Sequence, residues 1–377
     1  MKKITVVHWG DFVKYPPVIS LVENLLQQGI TVDLISSTEV KRLPKEISLA
    51  KNFNYLYFSA DIGKGIISKI HRLLFDKKRL RELVKESMID SNILWTTTDV
   101  TIKILGNDVL KYKHVMQLME LIERYPLFSN SKLFDFPIDK YAQKAYKVVV
   151  PDLDRAYIQQ AWWDLKELPV VLPNKPFKIL ENTEFTRETL EALEIIKSEN
   201  RKILLYSGII TPERNIEDFA KAIKDCSDYC IYIIGHINDV DDSFKNFILE
   251  NDNVIYLGYH SAPSHLEFIK YAHIGLTPYI PTKSKLHPAI NALYCAPNKV
   301  YEYSAFGVPM IGTKVLGLLR PFEQFGIGKC ADDMSANAIL ECIDYIDRHY
   351  GEMSQNCINF FEKDDLEKIV REIVEGK

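Results

Sequence analysis

The sequence predicts an α/β protein of two lobes, each built on a parallel sheet covered on both faces. Three observations carry this. At 377 residues the chain exceeds what one hydrophobic core usually organises, and suits two. Short apolar runs alternate with amphipathic stretches along its length, the pattern of repeated strand–helix–strand units. A proline-bearing break, Leu172-Pro-Asn-Lys-Pro-Phe177, divides that rhythm into two series.

In the first series, strands are expected at 3–7, 30–36, 54–58, 94–97, 115–119 and 147–150, with a helix over 17–28 closed by Gly29. Their apolar content marks them as strands of a covered sheet. Residues from the break to about 200 are charged and helical in pattern. The second series places strands at 203–206, 230–234, 254–257, 274–277 and 308–312, and a helix over 215–224. Three of these strands run into Gly208, Gly235 and Gly258. Such glycines mark places where a ligand approaches backbone at the carboxyl edge of a sheet. The expected organisation is a first domain over 1–172, a linker over 173–200 and a second domain over 201–361. A C-terminal helix at about 362–377 is expected to pack back on the first.

A content of 47% hydrophobic and 26% charged residues is that of a soluble globular chain. A net charge of −4 argues against nucleic acid as partner. The start, Met1-Lys-Lys-Ile-Thr-Val-Val-His8, lacks the length and cleavage site of a signal peptide, and no apolar run reaches a membrane-spanning length. A cytoplasmic location is expected. The six cysteines include no Cys-x-x-Cys pair and no ligand spacing with histidine, so buried reduced thiols and no metal site are expected. Asp152-Leu-Asp154 has the spacing of a metal motif but reads as a helix cap.

The run Ala296-Pro-Asn-Lys-Val-Tyr-Glu-Tyr-Ser-Ala-Phe-Gly-Val-Pro-Met-Ile-Gly312 reads as a loop, a short helix and a buried strand. Pro297 starts the helix and Gly307 stops it. Its N-terminus offers backbone N–H groups to phosphate. Glu302, one turn inside, is suited to accept hydrogen bonds from a ribose diol. This run resembles the donor-site signature of family 4 glycosyltransferases, a retaining family with the two-lobed GT-B fold, in which two Rossmann-like domains face each other across a cleft. The resemblance implies a sugar transfer from a nucleotide-diphosphate sugar, UDP- or GDP-linked, to a saccharide or lipid-linked saccharide. No cofactor or metal is implied.

Carried over residue by residue, Glu302 is the ribose ligand. Tyr294 stands where the family often has a second glutamate facing the donor sugar. Tyr206-Ser-Gly-Ile-Ile-Thr-Pro-Glu-Arg-Asn-Ile216 resembles the family's phosphate-binding loop, with Arg214 at its lysine position and Ile209 where an arginine usually stands. Arginine can hold phosphate through two N–H groups at once. Lys299 is the expected second cation. The donor site so implied comprises Gly10, Gly208, Arg214, Gly235, Tyr259, Tyr294, Asn298, Lys299, Val300 and Glu302. On the acceptor side, His8-Trp9-Gly10-Asp11 and Trp95-Thr-Thr-Thr-Asp99 end strands at the edge facing the cleft in this fold, which nominates Trp9, Asp11, Thr97 and Asp99. Glu120 is the candidate base or electrostatic partner, with Arg214 and Lys299 acting on the leaving group.

Residues 61–86 hold eight cations against four acids, with isoleucines and leucines at helical intervals. They read as a helix with a solvated basic face, or one that meets an anionic membrane surface. A lipid-linked acceptor, cell-surface polysaccharide or glycolipid assembly, and peripheral attachment to the inner face of the plasma membrane fit the second reading. Two other classes stay open: a nucleotide-sugar epimerase on this fold, a type that lacks the Lys-x-x-Glu-Tyr run in this form, and a non-catalytic relative that binds a nucleotide or partner.

Overall fold

The computed structural model describes residues 2–59, 75–126, 135–179, 185–211, 214, 216–237, 246–248, 250–282 and 288–376. The chain forms two compact units. One comprises Met1–Phe177, Ser284–Pro288 and Asp365–Lys377, the other Lys178–Lys283 and Ala289–Asp364. The stretch 173–200 is therefore shared between them.

The first unit holds a 7-stranded sheet. Its strands are β1 (Lys3–His8), β2 (Thr31–Ser36), β3 (Phe53–Tyr57), β4 (Ile93–Thr97), β5 (His114–Gln117), β6 (Lys147–Val150) and β7 (Val170–Val171). They lie in the order β3-β2-β1-β4-β5-β6-β7, every pairing parallel. The order reverses between β1 and β4, where His8 pairs with Thr97 in register. In sheets wound this way, ligands bind at the carboxyl ends beside that reversal.

Helix α1 (Pro16–Gln27) begins with two prolines, whose fixed φ suits a first turn. It carries Val18, Leu21, Val22 and Leu25 into the core. The helix Leu366–Glu375 belongs to this unit, tied in by Asn24 Nδ2 donating to the Leu366 carbonyl at 2.9 Å and Gln28 Nε2 to that of Glu367 at 3.1 Å. Helix α2 (Lys77–Ser87) buries Leu80, Leu83 and Val84. Arg81, one of its cations, donates to the Leu105 carbonyl at 2.9 Å and pairs with Asp108 at 3.0 Å. Residues 61–74 of the basic stretch lie outside the described residues.

Two histidines of this sheet are buried and neutral. Burial pushes His8 down to about 3, against the opposing pull of Asp11, and pushes His114 down to about 3 as well. Unfolded, each titrates near 6.5. A depressed folded pKa contributes stability that is complete above 6.5 and is lost as pH falls from there towards 3. Each pH unit below 6.5 then costs about 1 kcal/mol per histidine. Melting temperature is expected to fall between pH 7 and pH 5, and to fall less in His114→Gln; parallel profiles would contradict this.

The second unit holds a 6-stranded sheet of β8 (Lys202–Ser207), β9 (Tyr229–Ile234), β10 (Val254–Tyr256), β11 (Ile274–Thr277), β12 (Met310–Thr313) and β13 (Gly328–Ala331). The order is β10-β9-β8-β11-β12-β13, all parallel, with the reversal between β8 and β11. Both faces are covered, with helix α5 (Arg187–Lys197) in one core and helix α6 (Glu217–Ala222) in the other. Ile203 and Leu205 join one core with Tyr303, Met310 and Phe322, while Leu204 and Tyr206 join another with Phe219, Ile311 and Ile343.

The strands expected from the sequence are all present, shifted at most by a few residues. The short β7 and β13, and a two-stranded ribbon of Tyr125–Pro126 with Asp135–Phe136, carry no such signal: β7 and the ribbon strands have two residues each, and β13, Gly-Lys-Cys-Ala, has no apolar run. Five of the six cysteines are buried and Cys226 is half-buried; all are unpaired thiols. Among the described residues no helix is long and apolar enough to cross a membrane.

Candidate functional site

The carboxyl ends of β8, β9 and β10 meet in a row of glycines. Gly208 N–H donates to the Ile234 carbonyl at 2.9 Å, and Gly235 N–H to that of Gly258 at 2.8 Å. Gly235 has φ 132°, and a Cβ there would lie 1.9 Å from the Gly208 oxygen. Gly258, at φ 86°, has open space around it. Gly235→Ala is expected to cost more than about 2 kcal/mol from strain and collision together, and Gly258→Ala about 1 kcal/mol from strain alone. Thermal melts compare them; equal effects would show that the backbone contact does not matter.

Helix α7 (Asn298–Ala305) faces this row. Pro297 is its N-cap, and Gly307, with φ 66°, follows its end. Lys299, Glu302 and Tyr303 fall on one buried face because residues three and four apart lie together on a helix. The Tyr303 hydroxyl donates to the Leu205 carbonyl at 2.8 Å and accepts from Ser207 N–H at 3.0 Å, pinning α7 to the end of β8. Gly275 makes room for that ring: a Cβ there would come within 2.4 Å of it.

Lys299 is 6% exposed, and its Nζ has no hydrogen-bond partner among the described residues. It lies 3.9 Å from the Tyr206 ring centre and 6.0 Å from that of Tyr279. A Cβ on Gly208 would sit 3.2 Å from it. Burial, then the nearby Arg214 charge, holds Lys299 well below the ordinary lysine range, with Glu302 opposing. The Arg214 guanidinium lies 5.1 Å from the Tyr279 ring centre. Two cations and a carboxylate thus converge where Gly208 leaves space. A buried ammonium without an acceptor is costly, and an arriving anion relieves that cost.

Glu302 is 4% exposed, and His265 Nε2 lies 3.3 Å from its Oε1. His236 stacks on Tyr259 with ring centres 4.0 Å apart and planes 15° from parallel, just beyond Gly235 and Gly258. Val300 faces the core and Asn298 opens α7 half-buried. Tyr294 is half-buried, with the Arg320 guanidinium 5.8 Å from its ring centre. Ile209 is 41% exposed, with its carbonyl accepting from the Tyr206 hydroxyl at 2.6 Å. The structure therefore brings Gly208, Gly235, Arg214, Lys299 and Glu302 together. The sequence did not single out Tyr206, Tyr279, His236 or His265. The first three sit at or just beyond strand ends, a positional signal; His265 lies in a helical turn and carries none.

In the first unit, Gly10, Trp9 and Asp11 follow β1. Gly10 has φ 116°, and a Cβ there would meet His8 Nε2 at 4.0 Å. Asp11 accepts from Thr38 Oγ1 at 2.9 Å and pairs with Arg42 at 2.5 Å. Trp9 is half-buried, its ring centre 5.2 Å from that of Phe58. Thr97 is fully buried; its hydroxyl donates to the Val7 carbonyl at 3.2 Å and lies 2.8 Å from His8 Nδ1. That side chain is committed to the sheet. Thr98 has φ 78°, a strained value for a β-branched residue, and it turns the chain into helix α3 (Asp99–Leu105) with Asp99 at its first position.

Glu120 is exposed on the loop after β5. Helix α4 (Leu153–Trp163) clamps that loop with donors four residues apart. Arg155 Nη1 reaches the Met119 carbonyl at 2.8 Å, Gln159 Nε2 that of Ile122 at 2.9 Å, and Trp163 Nε1 that of Glu123 at 2.9 Å. Asp152 caps α4, accepting from Arg155 N–H at 2.9 Å. Partial burial, then the charges of Glu120, Asp99 and Asp11, raise the Tyr15 hydroxyl above its ordinary range. Among the described residues no three metal-ligating side chains are grouped.

Two parallel sheets, each reversing order beside its first strand and each with its candidate residues at the carboxyl edge, make a recognisable pair. The fold is that of the GT-B proteins. Sucrose-phosphate synthase from Thermosynechococcus elongatus matches with TM-score 0.66 at 15% identity, over 99% of this chain and 95% of that one. HepE of Anabaena, solved with UDP and glucose, matches with TM-score 0.69 at 12% identity, over 100% and 99%. A structure described as a putative UDP-N-acetylglucosamine 2-epimerase, from Listeria monocytogenes, matches with TM-score 0.61 at 11% identity, over 99% and 94%. No protein-family model and no curated protein matches the sequence.

Proposed function

We propose that the chain is a glycosyltransferase that moves a sugar from a nucleotide-diphosphate sugar to an acceptor hydroxyl. The observation that carries this reading is the convergence of Arg214, Glu302 and Lys299 on the space left by Gly208, the Lys299 Nζ being buried with no hydrogen-bond partner among the described residues. A diphosphate fits the two cations, and a ribose diol fits the carboxylate. HepE, of the same fold, was solved with UDP and glucose, which supports a UDP-sugar as donor; a GDP-sugar fits the same groups.

In this reading a nucleoside diphosphate leaves, and its developing negative charge is the main electrostatic demand. Arg214, Lys299 and the first N–H groups of α7 meet it, with no metal required. Glu120, on its clamped loop, is proposed to act near the reacting carbon, and Trp9, Asp11 and Asp99 to meet the acceptor. Resemblance to family 4 adds retention of anomeric configuration and a saccharide or lipid-linked acceptor in surface polysaccharide or glycolipid assembly. The basic stretch 61–86 is proposed to attach such an enzyme to the cytoplasmic face of a membrane; binding to anionic but not neutral vesicles is expected in co-sedimentation, and equal binding would refute it.

The test is incubation with UDP- and GDP-sugars, with and without saccharide acceptors, followed by product analysis. Acceptor-dependent release of nucleoside diphosphate with a retained linkage is expected. Isomerised sugar formed without acceptor would favour an epimerase instead, and nucleotide binding without turnover a non-catalytic relative.

A further inference from the structure

We propose that His265 is a positioning residue that sets the Glu302 carboxylate for a ribose diol. The inference rests on the donor-site reading above and adds a second residue to it. His265 sits in the 3-10 segment Ser264–Tyr271, which buries Leu266, Phe268 and Ile269 against the sheet core. Its backbone N–H donates to the Ser261 carbonyl at 3.2 Å and that of Leu266 to the Pro263 carbonyl at 3.0 Å, which ties down the turn that presents the imidazole. The side chains of His265 and Glu302 are 13% and 5% exposed, and Nε2 lies 3.3 Å from Oε1. Among the described residues no other side chain lies within ion-pair distance of Glu302.

The other ring nitrogen, Nδ1, is buried without a hydrogen-bond partner among the described residues. A carboxylate only accepts hydrogen bonds, so the proton belongs on Nε2. The opposite tautomer would set a lone pair against the carboxylate and bury an unpaired N–H donor, a double cost. His265 thus offers Glu302 one donor and nothing else.

The consequence is geometric. A glutamate has three side-chain torsions, and holding them against free rotation costs up to about 2 kcal/mol. A vicinal diol is read only when both carboxylate oxygens face the two hydroxyls. At 3.3 Å, Nε2 is in reach of one lone pair of Oε1, and a contact there leaves a second lone pair and all of Oε2 for the ribose. Orientation is then in place before the nucleotide arrives, and affinity gains because less freedom is lost on binding.

The experiment compares UDP and GDP with their 2′-deoxy forms by calorimetry, in the full chain and in three variants. Wild type is expected to prefer the ribonucleotide. His265→Ala should weaken ribonucleotide binding about tenfold, the scale of one lost orienting contact, while leaving the 2′-deoxy form nearly unchanged. His265→Gln places an amide donor close to where Nε2 stands and should keep the preference; His265→Asn places it nearer Nδ1 and should lose it. That pair decides the matter even if the alanine variant is unstable. Gln and Asn behaving alike, or equal losses for both nucleotides, would overturn the positioning role while leaving the donor site standing. Failure of wild type to bind any of the four nucleotides would overturn the donor-site reading and this inference together.

Discussion

Glu302→Ala is expected to lower sugar transfer by at least about tenfold, roughly 1.4 kcal/mol of transition-state stabilisation, and most of that loss should appear as weaker donor binding. Glu302 is almost fully buried on the inner face of α7, and among the described residues only His265 lies within ion-pair distance of its carboxylate. A buried carboxylate with spare acceptor capacity is an unfavourable arrangement for stability alone. Its removal should therefore leave the fold intact or slightly stabilised. The pairing of unchanged or higher melting temperature with reduced transfer, measured on the same sample, separates a binding role from a structural one. Unchanged transfer would refute the assignment.

The second large effect belongs to the cations. Arg214→Ala and Lys299→Met are each expected to reduce transfer by at least about tenfold, and the double variant by less than the product, because both act on one diphosphate. Lys299 carries a further signature. In the free protein, burial and Arg214 disfavour its charged form. An arriving diphosphate favours that form, so binding raises its pKa and draws a proton from solution. Calorimetric enthalpy of nucleoside diphosphate binding should then depend on the ionisation heat of the buffer in wild type, and not in Lys299→Met. The same linkage makes binding weaken as pH rises. Buffer-independent enthalpy would mean that Lys299 is charged throughout or distant from the ligand.

The parts legible in the sequence share one property: they are local. Strands such as 203–206 and 230–234 announce themselves as apolar runs, and the structure places them in the parallel sheets expected. Glu302 and Lys299 were legible because they stand in one short helix with its proline start and glycine stop. What was not legible depends on residues far apart in the chain. Tyr206 and Tyr279 flank Lys299 only because β8 and β11 are neighbours at the reversal of strand order. His265 meets Glu302 only because a 3-10 segment packs beside α7. Thr97 shows the limit of position as a cue: a strand end nominated it for substrate contact, while its buried hydroxyl finds partners in Val7 and His8 within the sheet. Placement at a carboxyl edge is thus a necessary cue, and direction of the side chain decides the rest.

The most direct measurement is the thermal shift produced by nucleoside diphosphates in wild type and in Glu302→Ala. Ligand that binds only the folded state raises the melting temperature by mass action. UDP or GDP is expected to raise that of wild type in a concentration-dependent way, and to do so far less in Glu302→Ala. Equal shifts in both proteins, or none in wild type with either nucleotide, would contradict a donor site built on Glu302, Lys299 and Arg214.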